Sequence, residues 1–184
     1  IILLLYLFTC FSFSDQNSFD SFQMYMSHEK GRLFSINLEH QNFGKNFTMS
    51  GDLWYFNSKD YVFDNKSERI SNKNNTIVTI NKIAKQVIYD QNFRNNFDIF
   101  DVLGNTESGI KVLSSFIEKE LIRTNFFLVQ WEIEGSIWTI QDTGEPKKIS
   151  INISNNQTVD LEIKSSKIIL TSGLSYIDIS EYEI

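Results

Sequence analysis

The chain has 184 residues, 41% of them hydrophobic, 14% aromatic and 22% charged, which is enough apolar matter for one folded domain and too much for a disordered chain. Lys and Arg number 17 against 23 Asp and Glu, a net charge of −6, which argues against a basic nucleic-acid binder. One Cys and two His exclude an internal disulfide framework and a Cys-rich zinc site, and leave little for any metal centre.

Residues 1–14, IILLLYLFTCFSFS, are apolar from end to end and carry no charge. At about 1.5 Å per helical residue they are too short to span a hydrocarbon core of roughly 30 Å. They match the apolar region of a secretory signal, and Ser12-Phe13-Ser14 offers a small-x-small cleavage pattern before Asp15. The expectation is a signal peptide over 1–14, its basic n-region missing from the sequence, and a single domain over 15–184. The alternative is a buried N-terminal strand. Phe8 and Thr9 suit a lipidation site at Cys10 poorly, so Cys10 reads as a thiol lost with the signal.

From Ser18 to Lys30, Phe19, Phe22 and Met26 fall on one helical stripe, with Gly31 as a stop. Period two then takes over. Phe34, Ile36 and Leu38 share one strand face. After a turn over 42–46, Phe47, Met49, Leu53 and Tyr55 share a face of a second long strand, with Trp54 and Phe56 opposite. A turn over 57–60 leads to a third strand that starts with Tyr61 and Phe63 and runs to about Ile70. A turn at 73–75 precedes two short strands, Ile77–Ile80 and Lys85–Tyr89, joined around Asn81-Lys82. Connections this short suit an antiparallel meander.

Midway the period changes. Phe97, Ile99, Phe100 and Leu103 fit a short helix ending at Gly104, and Ile110, Leu113, Ile117 and Leu121 fit an amphipathic helix over Ser108–Ile122. Strands follow at 126–134, 137–141, 148–153, 158–164, 167–171 and 176–182, with turns at Gly135-Ser136, 143–146 and Asn155-Asn156. The pattern predicts a twisted, mainly antiparallel sheet with three helical pieces laid across its apolar face.

Catalytic equipment is scarce. His28 and His40 fall in different predicted elements, and there is no Gly-x-Ser-x-Gly elbow and no phosphate-cradling glycine loop. Glu132/Glu134 and Glu181/Glu183 sit at i, i+2 and read as solvated strand faces, with paired-carboxylate chemistry as the alternative. Five Asn-x-Ser/Thr sequons, at Asn46, Asn65, Asn74, Asn152 and Asn156, read as chance in a chain this rich in Asn, Ser and Thr.

Several features occur in a recognisable order. Gly51-Asp52-Leu53-Trp54 lies on a strand, and Tyr61 to Phe63 form an aromatic strand. Ile77-Val-Thr-Ile-Asn81 leads to a turn and Gln86. Asp98-Ile-Phe-Asp-Val-Leu-Gly104 follows, and Ile137-Trp-Thr-Ile, Ile149-Ser-Ile-Asn-Ile and Val159 come later. Over most of Ser18 to Lys164 the chain resembles the periplasmic outer-membrane lipoprotein carrier family, the LolA type.

The resemblance implies a mainly β, α+β fold: an incomplete antiparallel β-barrel with a lid of short α-helices. It implies a periplasmic, non-enzymatic monomer without cofactor or metal, which shields the acyl chains of lipoproteins. An inner-membrane release complex would supply the cargo and an outer-membrane acceptor would receive it. Leu53, Tyr55, Tyr61 and Phe63 are the expected wall of the hollow, and Phe97, Phe100, Leu103, Leu113 and Ile117 the expected lid. The chain departs from the family where a basic residue and Pro follow the Gly-Asp-Leu-Trp strand and latch the lid: here Asn57 and Ser58 stand at those places, with Lys59 nearby. The rival readings are a same-fold anchored receptor or lipid sensor, a glycan hydrolase using Glu132, Glu134 or Asp142, and a secreted β-domain with a filled core.

Overall fold

A computed structural model of the chain describes residues 15–73, 76–91, 99–104, 109–170, 177 and 180–183. The chain starts with helix α1 (Asp15–Met26). Six strands follow: β1 (Arg32–Asn42), β2 (Lys45–Asn57), β3 (Asp60–Asp64), β4 (Glu68–Lys73), β5 (Thr76–Asn81) and β6 (Gln86–Gln91). A 3₁₀ helix over Ile99–Leu103 separates them from β7 (Ile110–Glu118), β8 (Leu121–Leu128), β9 (Ile133–Ile140), β10 (Pro146–Ser154) and β11 (Gln157–Ile168).

Among the described residues all eleven strands belong to one sheet, in the order β6-β5-β4-β3-β2-β1-β11-β10-β9-β8-β7. Every neighbouring pair is antiparallel. Two meanders of local hairpins are joined at the centre by β1 and β11. The sheet does not close, since β6 and β7 end it on opposite sides. It is the incomplete antiparallel barrel expected above.

Alternation decides which face is dry. Phe34 and Ile36 on β1, Ile149 and Ile151 on β10, and Leu161 and Ile163 on β11 are buried in one cluster. That cluster also takes in Phe63 on β3 and Phe126 on β8, which lie six strand spacings apart in the sheet order, about 29 Å if the sheet were flat. Curling brings these rows round a common interior, which α1 and the 3₁₀ helix cover.

Five expectations are corrected. Residues 108–122 do not form an amphipathic helix; they supply β7, a two-residue turn at Lys119-Glu120 and the start of β8. A bulge between Val112 and Ser114 explains the misleading period. The extra residue interrupts the alternation, so the inward positions become 110, 112, 115 and 117 and period two is no longer evident along the strand. The single strand expected over 126–134 is two, β8 and β9, broken by a turn over 129–132. Gly135-Ser136, expected as a turn, lies inside β9. The third strand is likewise two, β3 and β4, and the two strands expected over 158–171 are one, β11, bulged opposite Ser35/Ile36. Residues 1–14, expected as a signal peptide, Phe97 and most of the strand expected over 176–182 lie outside the described residues.

Gly135 is a packing glycine. It pairs with Phe126 across β8 and β9, and a Cβ there would stand 2.6 Å from Phe126 Cζ and 2.7 Å from Ile151 Cδ1. The absent side chain is the space the Phe126 ring fills. Gly135→Ala is expected to cost about 1–3 kcal/mol, read as a lower urea midpoint with an unchanged slope.

On the outer face, the Asp64 carboxylate accepts from Arg69 Nη2 at 2.9 Å and Lys82 Nζ at 2.6 Å, and Lys82 also donates to the Asn65 carbonyl. Burial raises the Asp64 pKa and is the largest single influence. The hydrogen bonds and charges of Arg69 and Lys82 together outweigh it and hold the carboxyl below its ordinary 3.8. A depressed carboxylate stabilises the fold above its unfolded value, and the contribution fades as pH falls through the folded one. The melting temperatures of wild type and Asp64→Asn are therefore expected to differ at pH 7 and to converge as pH drops below about 3.8, by thermal denaturation across pH 2–7.

Candidate functional site

The concave face between β2 and β3 carries the candidate hollow. Leu53 faces Phe63 and Tyr55 faces Tyr61 across the β2–β3 ladder. All four are at most 2% exposed. The alternation of β2 and β3 delivers them to one side, and a bulge between Tyr55 and Asn57 sets the register of the two pairs past the turn at Ser58-Lys59.

The 3₁₀ helix closes over this wall. The Phe100 ring stands 4.9 Å from the Tyr61 ring, edge-on at 60°, and 6.3 Å from the Phe63 ring. Leu103 is 1% exposed beside it. Gly104 ends the segment against the β2–β3 turn. A Cβ on Gly104 would lie 2.6 Å from Tyr55 Oη and 2.8 Å from Ser58 Cβ. This is the same turn at which the resembled family carries its basic latch. In this chain the contact there is a close approach of backbone to Ser58, and Asn57 turns inward on itself, its Oδ1 accepting from the Lys59 N–H at 2.8 Å.

Helix α1 covers the opposite wing. Phe19, Phe22 and Met26 are buried, the two rings 5.6 Å apart. Polar contacts hold both ends of the helix. The Ser18 hydroxyl lies 2.8 Å from Ser115 Oγ and 3.0 Å from Thr124 Oγ1, and those two lie 3.0 Å apart. Such a ring of hydroxyls satisfies itself, since each can donate to one neighbour and accept from the other. At the C-terminal end Tyr25 Oη donates to Ser166 Oγ at 2.8 Å, and Arg32 Nε donates to the Tyr25 carbonyl at 2.6 Å. The Arg32 guanidinium lies 3.4 Å from the centre of the Tyr25 ring. The helical stripe was legible in the sequence, but the hydroxyl ring was not. Its one signal is that Ser18 precedes Phe22 and Met26 at four-residue steps.

The structure therefore brings together Leu53, Tyr55, Tyr61, Phe63, Phe100 and Leu103. It separates the two remaining described candidates. Ile117 pairs with Ile122 on the inner side of β7, at the rim beside α1, and is 56% exposed. Leu113 sits at the bulge and borders a polar depression on the outer face with Arg123, Asn125 and Ser136. Neither belongs to a helical lid, because β7 is a strand. A gap of ≈20 Å³ beside Ser18, Ser115 and Ile117 has room for about one water.

Of the alternative carboxylates, Asp142 is remote from the other two. Glu132 is in the β8–β9 turn, Glu134 is on β9, and Asp142 is in the turn past the far end of β9. Six strand steps, about 20 Å, separate Glu134 from Ile140 at the end of β9, past which Asp142 lies, well beyond the roughly 5–9.5 Å of a glycosidase pair. His28 lies in the α1–β1 turn, its Nδ1 accepting from the Lys30 N–H, and His40 stands beside Phe47 on β1. Among the described residues no three His, Cys, Asp or Glu side chains group as a metal site would require.

No family model matches the sequence, and no curated protein matches it. Solved structures do match. An uncharacterized conserved protein from Thermus thermophilus superposes with a TM-score of 0.51 at 8% identity, over 84% of this chain and 87% of that one. A putative outer membrane lipoprotein-sorting protein domain from Vibrio parahaemolyticus gives 0.47 at 8% identity, over 90% and 95%. A LolA superfamily protein from Nitrosomonas europaea gives 0.45 at 9% identity, over 84% and 93%. At these identities the likeness is one of fold. The architecture expected from the sequence, an open antiparallel half-barrel with a short helical cover, is the one found here.

If close packing of Gly104 seats the 3₁₀ helix, Gly104→Ala should lift it. Amide hydrogen exchange at 99–103 is expected to speed up at least tenfold, with protection of β1 and β11 unchanged.

Proposed function

We propose that the protein is a carrier that binds the acyl chains of lipid-modified proteins on the concave face of its sheet and moves them through an aqueous compartment. One observation carries this reading. The aromatic wall of Leu53, Tyr55, Tyr61 and Phe63 is covered by a five-residue 3₁₀ helix rather than by a second sheet. A short segment held by the buried Ile99, Phe100, Val102 and Leu103 and by the Gly104 contact is easier to displace than a packed sheet. Each CH₂ of an acyl chain withdrawn from water is worth about 0.8 kcal/mol, so a chain of sixteen carbons offers free energy on the scale of the four buried side chains, Ile99, Phe100, Val102 and Leu103, that it would displace. Loading is then an exchange: Phe100 and Leu103 leave the hollow as the acyl chain enters, and return on release.

On this reading the protein works in the periplasm after export. It accepts cargo from an inner-membrane release complex, delivers it to an outer-membrane acceptor, acts as a monomer and catalyses no reaction. The names of the Vibrio and Nitrosomonas structures belong to those proteins, and the reading for this chain rests on its own wall and cover. An anchored receptor or lipid sensor of the same fold would use the same hollow.

The test is binding of a fluorescent sixteen-carbon fatty acid to residues 15–184. Saturable one-to-one binding is expected. Phe63→Glu, with a carboxylate in the wall, should weaken it at least tenfold, whereas Phe100→Glu, which removes a side chain that competes for the hollow, should bind at least as tightly as wild type. Undiminished binding in a folded Phe63→Glu variant would remove the hollow as the site.

A further inference from the structure

The hairpins β1–β2 and β10–β11 extend past the core as one finger. Residues 41–48 and 152–156 are almost all exposed. The two tips are tied together: the Phe43 N–H donates to the Asn156 carbonyl at 3.1 Å, and Gln157 Nε2 to Asn42 Oδ1 at 3.0 Å. At the end stand two aromatic rings in water, Phe43 at 73% and Phe47 at 54% exposure.

Phe43 is costly where it is. Asn42 pairs with Lys45, so Phe43 and Gly44 form a two-residue hairpin turn, with φ of 46° and 76°. Such a turn demands positive φ at both places and favours Asn-Gly. A bulky aromatic at positive φ is strained and, at this exposure, contributes nothing to the core. The fold alone would be better served by Asn.

The charge pattern is equally uneven. In a chain of net charge −6, residues 40–51 and 152–158 contain no Asp or Glu, and carry Lys45. Two Phe rings offer roughly 300–500 Å², well short of the roughly 800 Å² per partner that a stable protein interface requires. A narrow apolar tip with a cation, cleared of acidic groups, fits an anionic lipid surface, where binding scales with apolar area and attraction to the headgroups.

The finger also leads inward. On its concave side Phe47 and His40 face each other, rings 6.4 Å apart, followed by the pair Leu38 and Met49 and then by buried Ile36. An apolar strip thus runs from the exposed tip into the interior.

We propose that the β1–β2 finger docks the protein on a bilayer by inserting Phe43 and Phe47 among the lipids, with Lys45 at the headgroups. That the strip then guides an acyl chain between bilayer and hollow rests on the carrier reading; the docking itself does not.

The test is flotation of residues 15–184 with vesicles of phosphatidylethanolamine and phosphatidylglycerol in a 3:1 ratio. Wild type is expected to float with the vesicles. The double variant Phe43→Asn/Phe47→Thr is expected to lose at least tenfold in partitioning, and Lys45→Glu to lose affinity for these vesicles but not for uncharged phosphatidylcholine ones. Phe43→Asn alone should keep or raise the melting temperature, since Asn suits the turn, so lost flotation cannot be blamed on unfolding. Failure of wild type to float, or equal flotation of the double variant, would overturn the proposal. Fatty-acid binding in solution separates the two readings. Unchanged binding in the double variant is expected, and absent binding in wild type with intact flotation would sink the carrier while leaving the docking finger.

Discussion

A single curled sheet has one apolar face and no partner sheet to dry it. That constraint organises this molecule. An eleven-stranded open barrel must cover its interior with whatever lies between or before its strands, and here that is α1 on one wing and five residues of 3₁₀ helix on the other. The two covers are built differently. The helix is fixed at both ends, by the Ser18–Ser115–Thr124 hydroxyls and by Arg32 on Tyr25. The 3₁₀ segment packs by burying Ile99, Phe100, Val102 and Leu103 and by the close approach of Gly104 to Ser58. One wing is thus pinned by polar contacts at both ends of its cover and the other packed by apolar side chains, and the second is where the aromatic wall lies.

Much of this was legible in the sequence wherever alternation ran unbroken. Phe34/Ile36, Leu53/Tyr55, Tyr61/Phe63 and Ile149/Ile151 all face inward as their period demands. The failures share a cause. The bulge at Val112/Ser114 shifted the phase of β7 and let Leu113 and Ile117 pass for a helical stripe, when they sit on opposite faces of a strand. Gly135 looked like a turn because sequence alone cannot show the Phe126 ring that fills its missing side chain. The wall of the site was readable because it is periodic. The hydroxyl ring under α1 was not, because Ser18, Ser115 and Thr124 come from distant parts of the chain and no local pattern joins them.

The outer face shows how the acidic composition is used. Arg123 lies 5.0 Å from the Trp138 ring and 5.4 Å from that of Phe116, while Lys148 covers Trp138 at 5.4 Å and reaches Asp160 at 3.1 Å. Cations thus shield the aromatics that alternation forces outward, and the carboxylates hold the cations in place. Residues 40–51 and 152–158 stand apart from this arrangement, with no acidic groups to repel an anionic surface.

The central pairing of β1 with β11 has a kinetic consequence. Every other strand pair in the sheet is a hairpin of near neighbours, able to form from local chain. The β1–β11 ladder, by contrast, joins Arg32 to Ile168 across most of the sequence. Its loop must be closed against chain entropy before any contact offsets that loss, and it cannot begin until β11 has been made. A chain emerging from the ribosome can assemble the two meanders but not the interior they share. Until synthesis is nearly finished the two halves of the sheet have no shared interior to close.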